Sequence, residues 1–141
     1  MLPKRCNIEL EYRIKSTKMK QLNYQKGKIG EGIAEKFLIK NGYKSIKSNF
    51  QNRWGEIDLI MTKKKTLVFV EVKLKIGGQY GAPEEMITPG KIKQITRIGQ
   101  LFVQQNPKLT GDFPIQRIDA VCIVLNENKE VERINHYKNI S

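Results

Sequence analysis

With 141 residues, the chain is long enough for one domain with a core of its own, and its 26 Lys/Arg against 14 Asp/Glu give a net charge of +12. Its apolar runs are far too short for a membrane-spanning helix, and its two cysteines, Cys6 and Cys122, are too few and too far apart for a disulfide framework or a thiolate zinc site. The cationic surplus points to polyanionic partners, nucleic acid first and an acidic membrane surface second, although a composition that uses Lys only as a solubiliser gives the same charge.

The opening MLPKRCNIELEYRIK lacks the apolar core of a secretory signal and carries acids that a transit peptide avoids, so cytoplasm is the expected compartment and no membrane is expected as partner. Residues 1–25 read as a flexible basic N-terminal extension, ahead of one domain over 26–141. From Lys26 to Asn41 the residues Ile29, Ile33, Ala34, Phe37 and Leu38 recur at helical spacing, and Asn41-Gly42 is a stop signal. Glu31 falls at the edge of that apolar arc. It either leans toward the sheet that the helix covers or is solvated and paired with a nearby Lys. Tyr43 to Asn49 reads as a half-exposed strand and FQNRWG as a turn, in which Trp54 beside Arg53 is either a lid on the core or a loop tip for bases and phosphates.

Gly55 to Lys73 reads as a hairpin through Lys63, Lys64 and Lys65. Paired symmetrically about that turn, Ile60 faces Phe69, Asp58 faces Glu71 and Glu56 faces Lys73. One face then holds Ile57, Leu59, Met61, Val68, Val70 and Val72, and the other gathers Asp58, Glu71 and Lys73 at one end. Opposed side chains have Cβ atoms roughly 5 Å apart, so the two carboxylates repel unless one is protonated or a cation lies between them. Two readings are equally compatible with the pattern: a divalent ion with oxygen ligands, or a salt bridge from Lys73 to Glu71 or Asp58.

Beyond the hairpin, LKIGGQYGAPEE is a Gly-rich turn or flap around Tyr80, Gly81 and Pro83. Thr88 caps a helix that has Pro89 at its first position and runs to about Gln105, with Ile92, Ile95, Ile98 and Phe102 on its apolar stripe and Lys91, Lys93 and Arg97 off it. Asn106 to Phe113 reads as a loop, Arg117 to Leu125 as an interior strand, NENK as a turn and VERINHY as an edge strand. His136, the single histidine, reads as an ordinary exposed or hydrogen-bonded side chain, and Asp119 as a partner of Arg117 or Arg133. Helix, three strands, helix and two strands make a three-layer α/β/α architecture with a mixed central sheet.

These residues carry a resemblance. An acid on the first helix, an Asp on the second strand and Glu-X-Lys on the third, here Glu31, Asp58, Glu71 and Lys73, resemble the PD-(D/E)XK nuclease superfamily. GEGIAEKFLIKNGY, RWGEIDLI, LVFVEVK, YGAPEE with Lys91, and RIDAVCIV are similar, in order, to signatures of the YraN family of bacterial endonuclease-like proteins. The resemblance spans about residues 26–137. It implies a restriction-endonuclease-like core in the order α-β-β-β-α-β-β and a Mg²⁺- or Mn²⁺-dependent endonuclease acting on DNA, branched or structured DNA included. Asp58, Glu71 and the carbonyl of Val72 would hold the ion, and Lys73 and Glu31 would complete the catalytic set. Lys28, Arg53, Lys75 and Lys91 would meet phosphates, and the likeness to resolvases that cut as dimers implies a homodimer. The chain departs from the pattern at Ile57, where the superfamily name has Pro, and at Leu74-Lys75, where the family has an Arg-containing pair. A module that binds nucleic acid without cutting it, on the same fold, is the alternative.

Overall fold

The computed structural model describes residues 21–22, 25–77 and 81–141. Of the expected N-terminal extension only residues 21, 22 and 25 fall within that range, and they are helical; the rest of it, and Tyr80 of the expected flap, lie outside the described residues.

The first helix, α1, covers residues 25–40. Its buried line is Gly30, Ala34 and Leu38, with Ile33 and Phe37 partly buried beside it. Ile29, expected in the apolar arc, is 42% exposed. It lies about 100° round the helix from Gly30, on the side away from the sheet. Glu31 lies about 100° round on the other side, at the boundary between sheet and solvent.

Five strands follow: β1 (Lys44–Asn52), β2 (Gly55–Lys63), β3 (Thr66–Ile76), β4 (Ile115–Leu125) and β5 (Val131–Tyr137). They lie in the spatial order β1-β2-β3-β4-β5, antiparallel except for the parallel β3/β4 pair. The parallel pair needs a crossover. The chain supplies it with a 3-10 turn (Pro83–Met86), helix α2 (Pro89–Gln105) and a one-turn helix α3 (Pro107–Thr110). Thr88 caps α2 as expected, its Oγ1 accepting the Lys91 N–H at 3.2 Å. The segment read as a loop after α2 instead begins with α3, because Pro107 stands at its first position and the Thr110 hydroxyl donates to the Asn106 carbonyl at 2.8 Å.

Each face of the sheet has its own core. Leu59, Met61, Val68, Val70, Val121 and Ile123 pack with Ala34 and Leu38 of α1, and Ile60, Leu67, Phe69 and Ile118 pack with Ile95, Ile98 and Phe102 of α2. This is the expected three-layer α/β arrangement with a mixed sheet. Among the described residues no helix is long and apolar enough to cross a membrane.

Two details of the sheet differ from the expectation, and both shape its charged end. The strand read as Tyr43–Asn49 continues through Phe50, Gln51 and Asn52, which pair with Ile57, Glu56 and Gly55. Phe50 stacks edge-on against Phe102 at 5.1 Å between ring centroids, which keeps this extension in the core under α2. The turn therefore shrinks to Arg53 and Trp54, with the Asn52 Oδ1 accepting the Trp54 N–H at 2.8 Å. In the hairpin the expected register holds from Lys63↔Thr66 through Ile60↔Phe69 to Leu59↔Val70, and there the ladder ends. Ile57, expected beside Leu59 and Met61, packs instead with Ile60 under α2. Strict alternation is thus broken between Ile57 and Leu59, where β2 leaves β3.

Candidate functional site

Below Leu59 and Val70 the two central strands form a fork. The β2 limb stays attached to β1, and the β3 limb stays attached to β4 through Glu71↔Ala120, Val72↔Val121 and Lys73↔Cys122. Asp58 lies on the first limb and Glu71 on the second. Asp58 Oδ2 accepts the Val72 N–H at 2.8 Å, so a side chain spans the opening where the β2–β3 ladder has ended. The expected facing of Glu56 and Lys73 is absent: Glu56 takes the Gln51 amide on its other side at 3.1 Å, and Lys73 turns to Glu71.

Glu71 is 2% exposed, and its two oxygens have different surroundings. Oε1 lies 3.1 Å from Lys73 Nζ and 3.9 Å from Lys91 Nζ on α2. Oε2 is buried without a hydrogen-bond partner among the described residues. A buried oxygen left so costs about 1–3 kcal/mol, more when charged. A bound cation is the kind of partner such an oxygen calls for. Asp58, 8% exposed, shows the same tension. Burial, and then the Glu71 charge, push its carboxyl up to about 7; the Val72 N–H opposes them, and Glu31 and Glu56 add smaller pushes.

Glu31 reaches this field from α1. Burial raises its carboxyl, hydrogen bonding to the Asn49 side chain and the Lys28 charge oppose that, and Glu56 and Glu35 add to the rise. Among the described residues, no three His, Cys, Asp or Glu side chains converge as a metal-holding group. Asp58 and Glu71, both buried at the fork, are the two carboxylates that could hold a hard divalent cation. Two residues here were not among the expected site residues. Glu56 adds to the charge felt by Asp58, and Asn49 holds Glu31. Asn49 has φ +53°, and an Asn, which tolerates that region, inside a strand is the signal that would have nominated it.

The four expected phosphate contacts divide. Lys28 sits 3.9 Å from Glu31 and Lys91 3.9 Å from Glu71, so both turn toward the acids. Arg53 lies 4.7 Å over the Trp54 ring, and Arg97, read only as off the apolar stripe, lies 3.5 Å over it. Trp54 is 36% exposed and belongs to neither apolar cluster, while its carbonyl accepts the Gln94 amide at 2.7 Å. Its ring therefore stands at the tip of the turn between two guanidinium groups, apart from both cores. Lys75 lines a cleft at the end of β3 together with Lys26 and Lys73.

The raised Asp58 carboxyl makes a stability prediction for the metal-free protein. Its folded value, about 7, lies above the unfolded one near 3.9, so the fold holds a proton that the unfolded chain releases. Stability from this group is full below the unfolded value and falls as pH rises toward 7. Asp58→Asn keeps an acceptor for the Val72 N–H and removes the titration. The variant should exceed wild type by on the order of 1–4 kcal/mol at about pH 8, a rise in melting temperature of several degrees, and match it near pH 4. Chelator-treated samples melted across that range give the check; a difference independent of pH contradicts it.

The fold and site together define a three-layer α/β protein with a buried carboxylate pair at a fork between its central strands. The chain belongs to the family described as "Uncharacterised protein family UPF0102", whose model matches residues 30–123, from α1 into β4. Glu31, Asp58, Glu71, Lys73 and Lys91 all fall within that span. Similar relatives, each called a UPF0102 protein, come from Syntrophomonas wolfei, Caldicellulosiruptor bescii and Chloroherpeton thalassium. The first is 37% identical over 84% of this chain and 98% of its own length. The second is 38% identical over 81% and 94%, and the third 40% identical over 73% and 78%.

Proposed function

We propose that this protein is a divalent-cation-dependent phosphodiesterase that hydrolyses DNA, branched or structured DNA included, on a core of the PD-(D/E)XK nuclease kind. The observation that carries the reading is Glu71 Oε2, buried without a hydrogen-bond partner among the described residues, at the same fork as Asp58. Asp58, Glu71 and the Val72 carbonyl would hold Mg²⁺ or Mn²⁺. When bound, the ion supplies Lewis-acid polarisation of a phosphate and a more acidic water. The chain's own groups have separate tasks. Lys73, 3.1 Å from Glu71 Oε1, fixes the orientation of that carboxylate and keeps an ammonium beside it for charge developing on the phosphate. Lys91 steadies the same oxygen from α2 at 3.9 Å. Glu31, held by Asn49, accepts a proton or hydrogen bond from an attacking water at the α1 side.

Two measurements test this reading together. Wild-type protein should bind Mn²⁺ in calorimetry and cut linear, nicked or four-way-junction DNA only when Mg²⁺ or Mn²⁺ is present. Salt-sensitive DNA binding with no Mn²⁺ uptake and no cutting of any of the three substrates would sink it in favour of a non-catalytic binding module, in which Lys73 and Lys91 simply neutralise Glu71.

A further inference from the structure

Beside the fork lies a cleft of about 340 Å³ between the first turns of α1 and the end of β3, with Lys26, Gly30, Lys73, Lys75 and Met86 on its walls. Its shape follows from Gly30. A Cβ there would stand 3.2 Å from the Leu74 Cβ and 3.5 Å from Val72 Cγ1, so α1 lies directly on β3 at this point, and the cleft opens one turn earlier. Lys26, Lys73 and Lys75 are all partly buried. Among the described residues, only Lys73 of the three has a carboxylate partner, and that partner is Glu71. Three lysines lining one concavity, one of them paired with Glu71, leave a positive surplus there, which a bound anion relieves.

Lys73 is shared between the two places: its Nζ reaches Glu71 Oε1, and the same residue lines the cleft. A cation-seeking carboxylate pair and an anion-seeking lysine cleft therefore adjoin. A ligand with a repeated phosphate meets both at once, one phosphate over the carboxylates and the next in the cleft. The geometry points to the Lys26–Lys75 cleft as the subsite for a backbone phosphate of a nucleic-acid strand, next to the phosphate that is hydrolysed. It rests on the reading of Asp58 and Glu71 as the cutting centre, and it assigns the strand's path along the α1–β3 edge.

The test compares the double variant Lys26→Gln/Lys75→Gln with wild type and with Lys36→Gln/Lys65→Gln, which removes the same charge at exposed positions. The probe is fluorescent DNA of one sequence, single-stranded and duplex, titrated over a range of salt. The cleft variant should bind roughly tenfold more weakly and lose about two from the slope of log affinity against log salt, one for each phosphate-facing lysine. Lys26→Arg/Lys75→Arg should recover the slope, and Mn²⁺ affinity should stay within about twofold of wild type. An unchanged slope, or an equal loss in the Lys36/Lys65 control, overturns the subsite. So does inorganic phosphate binding that the cleft variant loses while its DNA affinity stays that of wild type, which makes the cleft a site for the free anion. Failure of the cutting-centre reading is separate: wild type that takes up no Mn²⁺ and cuts no DNA removes that reading and leaves the slope measurement standing.

Discussion

Glu71→Gln is expected to lower the rate of metal-dependent cleavage by on the order of 10²–10³ while leaving the fold intact. Several kcal/mol of stabilisation is what a positioned ion supplies, and each 1.36 kcal/mol is tenfold in rate. The Gln amide keeps the volume and an acceptor oxygen, but it removes the charge that a hard cation needs. Asp58→Asn should act in the same direction. Glu31→Gln should cost less, about 10–100-fold, since in the proposed site Glu31 would act beyond the ligand pair as outer partners do. The order Glu71 ≥ Asp58 > Glu31 is thus part of the prediction. Single-turnover rates with Mn²⁺, together with thermal melts of each variant, check it. A Glu71→Gln variant within tenfold of wild type contradicts the assignment, and equal damage at Glu31 would place that residue among the direct ligands.

The second large effect lies away from the fork. Asp119 on β4 is fully buried and saturated with partners. Its oxygens accept from Arg117 Nε at 2.7 Å and from its terminal nitrogen at 2.8 Å, pair with His136 Nε2 at 2.8 Å, and accept the Asn139 N–H at 3.0 Å. Arg117 also donates to the Tyr43 hydroxyl at 2.9 Å, and the His136 ring stands edge-on to Tyr43 and Phe37. One carboxylate thus ties β4, β5, the C-terminal residues and the entry to β1 together. Asp119→Ala leaves a guanidinium without its counter-charge and an imidazole without its hydrogen-bond partner, and should cost about 3–5 kcal/mol. Melting should fall by roughly 6–20 °C at neutral pH. Burial alone would raise the Asp119 carboxyl, but the hydrogen bonds from His136, Arg117 and the Asn139 N–H outweigh it and hold the carboxyl below its usual range. Its stabilisation is therefore present above the unfolded value near 3.9 and is lost as pH falls through the lower folded value. The gap between wild type and Asp119→Ala should narrow below about pH 4. A variant that melts within about 2 °C of wild type at pH 7 contradicts this account.

Asp119 and His136 also show where a linear reading stops. Each was legible as an ordinary paired side chain, and Arg117 was named as one of two partners. That both pair with each other across β4 and β5 depends on the strand register, which places Val121 opposite His136 and brings Asp119 within reach two residues away. The fork has the same history. The hairpin register was readable because the Lys-rich turn and the apolar alternation agree from Leu59 to Thr66. Its end at Leu59↔Val70 was not, since it follows from Phe50 and Ile57 being drawn into the core beneath α2. Symmetric extrapolation therefore placed Glu56 against Lys73, where the fold gives Lys73 to Glu71.

By itself the sequence determined the main helices and strands and the three-layer class, though not the short α3, because periodicity, caps and turn residues are local properties. It also nominated Asp58, Glu71 and Lys73, since ionised groups in otherwise apolar strands need a reason. Tertiary structure alone decided the rest: that Lys91 on α2 faces Glu71, that Lys26 and Lys75 share a cleft, and that Glu71 Oε2 is buried without a hydrogen-bond partner among the described residues. Those are distances between side chains on different elements, fixed by how α1 and α2 close on the two faces of the sheet, and no local pattern in the chain encodes them.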